Sequence, residues 1–357
     1  MREAARRTPP MTLGELAQQA FNAGPWSVTF HRPAGGDAGL NDYFSEALYW
    51  WPDPRNPDGP HILRDGEPNP DRFLANARDI QAMSNAILAL GAGAFLFGAR
   101  EYVDRASTIL DVWFVAPKTR MNPNLEFGQA VRGRNSGRGR GIIETTTLIW
   151  GVQGITLLEA AGGLDTGLAL GVRQWFADYL QWMTTSVKGR DESCKKNNHA
   201  TWWTAQVAAF AIFTGDVAAR RTAWDHYRDF LVPTQIQSDG SCPHEEARPI
   251  SLSYSAMNLD AFATICRLAQ AGGVDLWSFQ SRCGAGVARA LHYLAPYVLD
   301  PASWRKEQKE AFRADKVVFP GLGALGTSSQ ELFLVYHRLP RARSPWVQFI
   351  DLIVRSA

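Results

Sequence analysis

The sequence predicts an all-α protein, an (α/α) barrel or toroid of helical hairpins with long loops that form a cleft. Apolar residues recur at helical spacing in many blocks, and strand-like alternation is almost absent. Turns such as Gly162-Gly163, Gly215-Asp216 and Gly272-Gly273 separate successive blocks. About ten helices in one domain favour a closed ring of helix pairs over a four-helix bundle. We therefore expect a single domain over residues 1–357.

The predicted helices follow one another along the chain, and four long loops interrupt them. The helical blocks are 12–23, 72–92, 99–116, 142–161, 168–187, 200–214, 217–232, 252–271, 276–297, 327–338 and 345–355. The loops are 31–71, 117–141, 188–199 and 233–251. Loops beyond about 12–15 residues in a compact domain are usually functional or disordered, and these carry Trp, His, Arg and Asn. We expect them to form the walls of one cleft, with 31–71 as an aromatic, proline-rich loop over it.

Composition and charge exclude several classes of protein. The chain has 357 residues, 45% of them apolar, which is enough for a large core. Its 37 basic and 35 acidic side chains give a net charge of +2, so no overall basic field indicates binding to nucleic acid or to an anionic membrane. No uninterrupted apolar run reaches the ~18 residues of a membrane span. We expect neither nucleic acid nor membrane as a partner, and a monomer or a weak dimer.

The four cysteines show no metal-binding or redox motif. Cys194, Cys242, Cys266 and Cys283 include no C-x-x-C pair, so no zinc ribbon, dithiol site or other metal site is predicted. Cys194 and Cys242 both lie in predicted polar loops, which leaves a disulfide between them open. The N-terminal sequence MREAARRTPP has a basic start but lacks the apolar stretch of a secretory signal, so a signal is absent or was removed.

The segment KKNNHATWW, residues 195–203, is the strongest indication of a ligand site. Asn197, Asn198 and His199 follow a basic loop and open a helix whose next turns are apolar. A helix N-terminus favours a docked carboxylate by roughly 0.3–1 kcal/mol, so the segment predicts a site for an acidic substrate. Trp203 offers a ring on which a sugar can stack. The alternative is that Asn198 is an N-cap and His199 an ordinary first-turn residue.

A second segment, residues 42–71, predicts a rigid aromatic loop. Trp50 and Trp51 precede four prolines between positions 52 and 60, which remove backbone donors and exclude a helix. The two rings could stack on sugars while the loop closes over a groove. The alternative is an N-terminal strap that packs on the ring of helices.

A third segment, residues 121–145, predicts a flexible cationic loop. Its arginines lie among glycines that permit close backbone approach, and amide side chains accompany them. We expect Asn124, Gln129 and Arg138 to contact the carboxylates of successive acidic residues. The alternative is an ordinary solvated basic loop.

A fourth segment, residues 239–262, places Arg248 and Tyr254 on either side of a predicted helix start. A guanidinium holds a carboxylate through two parallel hydrogen bonds, and a phenol near a cation loses its proton more readily. The alternative is that Tyr254 is a core or capping residue. The adjacent Glu245 and Glu246 indicate a paired-carboxylate glycosidase only weakly, because neighbours in sequence rarely face one centre. Carboxylates distant in sequence, such as Glu144, keep that reading open.

Together these segments resemble the alginate-lyase-like helical polysaccharide lyases. The stretches that carry the resemblance are YWWPDPRNPDGP, MNPNLEFGQA with GRGRGIIET, NNHATWW ahead of FTGD, and DGSCPHEEARPISLSYSAMNL, within roughly residues 26–270. The closest similarity is to polysaccharide lyase family 38, which is related to the family 5 alginate lyases. The resemblance implies an (α/α) barrel or toroid that cleaves a 1,4-linked uronan, alginate (polymannuronate) or glucuronan, by β-elimination. It also implies a catalytic set of Asn198, His199, Arg248 and Tyr254.

Two differences from that family border the implied site. The run Cys242-Pro243-His244-Glu245-Glu246 stands where such enzymes more often have a Gln-Pro-Leu-Glu-Leu-like run, and Pro249 follows Arg248 directly. Because these differences border the implied site, they affect which substrate is expected more than which reaction is expected.

The implied reaction requires no metal or organic cofactor, and the acidic polysaccharide is the expected partner. Uronan lyases usually meet their polymer outside the cytoplasm, which favours a secreted or periplasmic protein. Two other functions stay open at this point: a glycoside hydrolase on the same architecture, and a non-catalytic carbohydrate-binding helical protein.

Overall fold

The computed structural model describes residues 11–33 and 37–356, and helices dominate this part of the chain. The α-helices, in chain order, are α1 Met11–Phe21, α2 Ala75–Phe97, α3 Arg100–Leu110, α4 Leu148–Ala160, α5 Thr166–Thr185, α6 Val187–Ser193, α7 Asn198–Thr214, α8 Val217–His226, α9 Val232–Gln235, α10 Pro243–Glu246, α11 Ser251–Ala271, α12 Val287–Leu299, α13 Phe319–Thr327, α14 Gln330–Arg338 and α15 Pro345–Arg355. Short π-helical turns (Asp111–Val115, Tyr227–Leu231) and 3-10 turns (Gly139–Thr145, Pro301–Ser303, Ala314–Lys316) accompany them. The all-α prediction is confirmed.

Short strands occur inside two of the predicted loops. They are β1 Phe44–Glu46, β2 Trp50–Trp51, β3 Ile62–Leu63 and β4 Phe127–Ala130. β1 runs parallel to β4, and β2 pairs antiparallel with β3. Backbone hydrogen bonds of two small two-stranded sheets therefore hold the aromatic loop 42–71 and join it to the cationic loop 121–145.

Contacts between residues divide the chain into two compact units. The N-terminal unit is Pro10–Glu192, and the C-terminal unit consists mainly of Ser193–Ala357. In the N-terminal unit, α2 packs against α1, α3 and α4. In the C-terminal unit, α11 packs against α7, α12 and α13. The single ring-shaped domain over residues 1–357 stays a prediction.

The packing of α2 against α4 depends on glycine. A Cβ added to Gly91 would lie 2.3 Å from the carbonyl oxygen of Gly154, and one added to Gly154 would lie 2.4 Å from that of Ile87. Carbon and oxygen cannot approach so closely, so any larger residue would push the two helices apart.

Several helix boundaries differ from the sequence-based prediction. The helix predicted over 276–297 begins only at Val287, because two turns precede it: the Asp275 carboxylate accepts the N–H groups of Trp277 and Ser278, and Ser281 bonds Ala285 through its backbone and hydroxyl. Helix α6 begins at Val187 and otherwise lies within the predicted loop 188–199, and the sequence does not predict α13.

Within residues 11–33 and 37–356, two stretches are long and apolar enough to cross a membrane by length and composition, Ala75–Phe97 and Gly139–Ala160. Polar residues interrupt both stretches, so neither is an uninterrupted apolar run. Their apolar windows are 67% and 56% buried inside the protein, which is how core helices behave.

Candidate active site

The Asn197-Asn198-His199 segment forms the start of α7, as predicted. Asn197 is the N-cap in an extended conformation and makes no side-chain capping hydrogen bond, and the helix begins at Asn198. The carboxylate of Glu245 caps the helix instead. Its Oε1 accepts the backbone N–H of Asn198, and its Oε1 and Oε2 lie 2.8 and 3.0 Å from the Asn198 Nδ2. Glu245 therefore accepts one of the backbone N–H groups at this terminus, and a substrate carboxylate bound here stays a prediction.

Arg248 and Tyr254 lie together, as the fourth segment predicts. The Arg248 guanidinium carbon is 4.3 Å from the centre of the Tyr254 ring, a cation–π distance. The backbone fixes both residues, since the Arg248 N–H donates to the Glu245 carbonyl at 3.0 Å and the Tyr254 N–H donates to the Ile250 carbonyl at 3.0 Å. Both side chains are half-buried.

Glu245 connects the four predicted catalytic residues. Burial raises the pKa of its carboxyl, while the hydrogen bonds from Asn198 and the nearby Arg248 and His199 side chains act in the opposite direction. The carboxylate therefore bonds Asn198 directly, and Arg248 and His199 lie close enough to influence its pKa. Tyr254 joins the group through Arg248.

Glu246 faces different partners from its neighbour. It is 8% exposed, and its carboxylate accepts the Cys242 N–H at 3.0 Å and contacts the Lys306 ammonium. The two adjacent carboxylates therefore do not share one centre, and they do not form the acid and base of a glycosidase.

A buried polar network that sequence reasoning missed ties α7 to α9 and α11. The Gln235 Oε1 accepts hydrogen bonds from Thr201 and from Asn258, each at 3.0 Å. Its Nε2 donates to the Asn197 carbonyl at 3.2 Å. The signal for this network in the sequence is the presence of polar residues on otherwise apolar helices.

Trp203, predicted to stack on a sugar, lies in the core of the C-terminal unit. It is 5% exposed and packs edge-on against His226, with ring centres 5.5 Å apart. Burial lowers the pKa of His226 to about 4, and a backbone hydrogen bond with Ser193 opposes this shift. In this structure the Trp203 ring contributes to packing.

The N-terminal unit holds the other predicted contact residues. The guanidinium carbons of Arg134 and Arg138 lie 5.1 and 5.9 Å from the centre of the half-buried Trp50 ring. Trp51 instead has Arg64 at 5.0 Å over its ring. The structure therefore gathers cations at both predicted tryptophans.

Gln129 and Arg138 are bound to each other. The Arg138 Nη2 donates to the Gln129 Oε1 at 2.9 Å, and the Gln129 N–H donates to the Ser45 hydroxyl at 2.8 Å. Burial lowers the pKa of Arg138 to about 10. The Glu144 carboxylate accepts from Tyr43 at 2.8 Å and from Ser45 at 2.5 Å, and burial raises its pKa.

Asn124 has a local structural role. Its side-chain oxygen accepts the Glu126 N–H at 3.1 Å and forms an Asx turn ahead of β4. No contact recorded in the structure joins it to the arginines at Trp50.

The cysteines and possible metal ligands add no further centre. Cys194 and Cys283 are exposed thiols and Cys242 and Cys266 are buried ones, so the pairing of Cys194 with Cys242 that the sequence left open is not formed. Within residues 11–33 and 37–356, no three His, Cys, Asp or Glu side chains are grouped to hold a metal ion.

Comparisons with known proteins agree with this picture. A family model described as alginate lyase matches residues 31–304. The structure is similar to that of an alginate lyase from Bacteroides ovatus, with a TM-score of 0.91 and 28% identity over 99% of this chain and 95% of that one. No curated protein matches the chain.

More distant similarities concern the fold. Alginate lyase A1-III from Sphingomonas species A1 has a TM-score of 0.60 and 18% identity over 89% of this chain and 88% of that one. A variant of alginate lyase A1-III in complex with a tetrasaccharide has a TM-score of 0.56 and 19% identity over 81% of this chain and 76% of that one. With the family model covering most of its length, the chain belongs to the alginate lyase family and is a polysaccharide lyase.

Proposed function

We propose that this protein cleaves a 1,4-linked uronan, alginate (polymannuronate) or glucuronan, by β-elimination and leaves an unsaturated uronate at the new end. The observation that carries the proposal is the Arg248 guanidinium 4.3 Å above the Tyr254 ring, next to the Asn198-His199 pair held through Glu245. Assignment to polysaccharide lyase family 38 is part of the same proposal.

The first chemical requirement is stabilisation of negative charge. Removal of the C5 proton of a uronate moves charge onto its carboxylate as an enolate-like species, and preorganised donors stabilise that charge. Arg248 supplies a permanent positive charge in a fork of donors, and Asn198 and His199 supply N–H groups. These three residues neutralise the uronate carboxylate.

The second requirement is a pair of proton transfers. A base removes the C5 proton, and an acid protonates the departing O4. Tyr254 performs both steps if the two events occur on one face of the sugar, a syn elimination. With His199 as base and Tyr254 as acid, the same residues serve an anti elimination. Neither route uses a metal or an organic cofactor.

The residues proposed to bind substrate fall into two groups. Trp50 and Arg138 combine a ring face with a cation, which suits a uronate because the sugar stacks while its carboxylate is paired. With them we place Trp51 and Gln129 in the N-terminal unit, and Asn197 beside the catalytic candidates. Trp203, 5% exposed in the core, and Asn124, which forms an Asx turn, are assigned structural roles instead.

Alginate is the first substrate to test, because the Bacteroides ovatus protein is called an alginate lyase. The purified protein is incubated with polymannuronate, polyguluronate, glucuronan and hyaluronan while ultraviolet absorbance of the unsaturated product is followed. Absorbance should rise with polymannuronate or glucuronan. A flat trace on every uronan would contradict the proposal. New reducing ends without absorbance would indicate hydrolysis.

A further inference from the structure

Glu245 is a buried carboxylate to which the proposed reaction assigns no step. It is 1% exposed, as is Asn198, and the contacts between them involve both carboxylate oxygens. Burying a carboxylate is costly unless hydrogen bonds compensate. Here the compensation comes from Asn198 N–H groups and from the nearby Arg248 and His199 side chains, all residues of the candidate active site.

The carboxylate fixes the orientation of the Asn198 carboxamide. An ionised carboxylate only accepts hydrogen bonds, so the amide must turn its Nδ2 toward Glu245 and its Oδ1 away. The Oδ1 atom is buried and has no hydrogen-bond partner in the described part of the chain. The two N–H bonds of an amide nitrogen diverge, so Glu245 leaves one of them to point elsewhere.

The same residue also sets the position of Arg248. The Glu245 carbonyl accepts the Arg248 backbone N–H at 3.0 Å, which closes the turn after α10. One residue thus holds Asn198 through its side chain and Arg248 through its main chain. A change in its carboxylate would act on Asn198, at the carboxamide and at the backbone N–H that Oε1 accepts, while the main-chain bond to Arg248 survives any side-chain substitution.

We propose that Glu245 is a positioning residue of the lyase site, whose carboxylate holds the Asn198 carboxamide in the one orientation that presents an N–H to the substrate carboxylate. This inference rests on the function proposed above. Glu245 itself transfers no proton and touches no substrate.

The test compares Glu245→Gln with Glu246→Gln. The first variant keeps the size of the side chain but presents both a donor and an acceptor to Asn198, so the amide is free to flip. We expect kcat to fall about 10²-fold, the cost of misplacing a catalytic group, with KM changed less than about threefold. Glu246→Gln is the matched control, since Glu246 is also buried but contacts Cys242 and Lys306, and its kcat should stay within about threefold.

A double-mutant cycle with Asn198→Ala separates positioning from a general structural role. If Glu245 acts through Asn198, then Glu245→Gln should cost less than about threefold in the Asn198→Ala background. Equal costs in both backgrounds would overturn the inference. If Glu245→Gln does not fold, the same cycle is run with Glu245→Asp, which keeps the charge but moves the carboxylate away from the Asn198 Nδ2. Its loss of kcat should likewise be smaller in the Asn198→Ala background than in the wild type.

The wild-type protein on the uronan panel separates the two proposals. An inactive wild type overturns both, because positioning has no meaning without the reaction. An active wild type whose Glu245→Gln variant retains full kcat overturns only the role of Glu245.

Discussion

Replacing Tyr254 with phenylalanine removes one oxygen atom and should nearly abolish turnover. The ring remains, so the contact with the Arg248 guanidinium at 4.3 Å is preserved. A half-buried phenol oxygen contributes about 1 kcal/mol to folding, and the retained cation–π contact contributes about 0.5–1 kcal/mol. The Tyr254→Phe protein should therefore fold with nearly wild-type stability.

The expected loss of rate follows from the role of the hydroxyl. A positioned acid or base contributes roughly 10²–10⁴ in rate, which corresponds to about 2.7–5.4 kcal/mol in activation free energy. We expect kcat of Tyr254→Phe to fall by that factor. KM should change less than about threefold, because Arg248 still binds the uronate carboxylate in the ground state.

The assay is steady-state ultraviolet detection of unsaturated product on the best substrate of the panel, with thermal unfolding as a check on folding. Tyr297→Phe is the matched control, since Tyr297 is also half-buried and packs its ring 4.9 Å from that of Trp304. A Tyr254→Phe protein that kept more than about a tenth of wild-type kcat would refute the reasoning, which requires a loss of roughly 10²-fold or more. The base would then be His199 or another residue.

Three further predictions concern binding, acid stability and packing. Arg248→Ala should raise KM and lower kcat, so that kcat/KM falls at least about 10²-fold, because the charge of Arg248 acts in the ground state and in the transition state. Arg248→Lys should not restore activity, since lysine lacks the guanidinium fork. A fully active lysine variant would contradict this prediction. Burial holds the pKa of His226 at about 4, below its ordinary 6.5. As the pH falls between these values, His226 becomes protonated in the unfolded chain but stays neutral in the folded protein. The stability that neutral, buried His226 contributes is therefore retained above pH 6.5 and lost toward pH 4, by up to about 3 kcal/mol. Urea unfolding of wild type and His226→Gln at pH 7 and 4.5 should show that the variant loses less stability at the lower pH. Equal losses in the two proteins would contradict this role of His226. Trp203→Ala should lower the free energy of unfolding, measured in urea, by about 3–5 kcal/mol. Trp50→Ala should mainly weaken the binding of oligouronates, measured by calorimetry. The reverse pattern would contradict a structural role for Trp203 and a binding role for Trp50.

The helices of this protein could largely be predicted because their ends carry local signals. Helix α7 was predicted over 200–214 and runs from Asn198 to Thr214, ending where Gly215 adopts the left-handed conformation at φ 77. Asp216 then caps α8 by accepting the Ala219 N–H. Such caps depend on neighbouring residues alone. The start of α12 was mispredicted because apolar spacing continues through a turn that the Asp275 side chain forms.

The candidate active site could be predicted only in part. The residue types at 198, 199, 248 and 254 and their similarity to known lyases indicate these four side chains as catalytic candidates. Nothing local distinguishes Glu245 from Glu246, since only the fold decides that one faces Asn198 and the other Lys306. The burial of Trp203 against His226 is equally a tertiary property, and helical periodicity does not report which aromatic ring reaches a surface.

The most direct test of β-elimination is the mass of the products from a defined oligouronate. An elimination adds no water, so the masses of the two fragments sum to that of the substrate, and one fragment carries the unsaturated end. We expect this result for wild type with oligomannuronate or oligoglucuronate, and its near absence for Tyr254→Phe. Two saturated fragments whose masses sum to the substrate plus one water molecule would show hydrolysis and contradict the account.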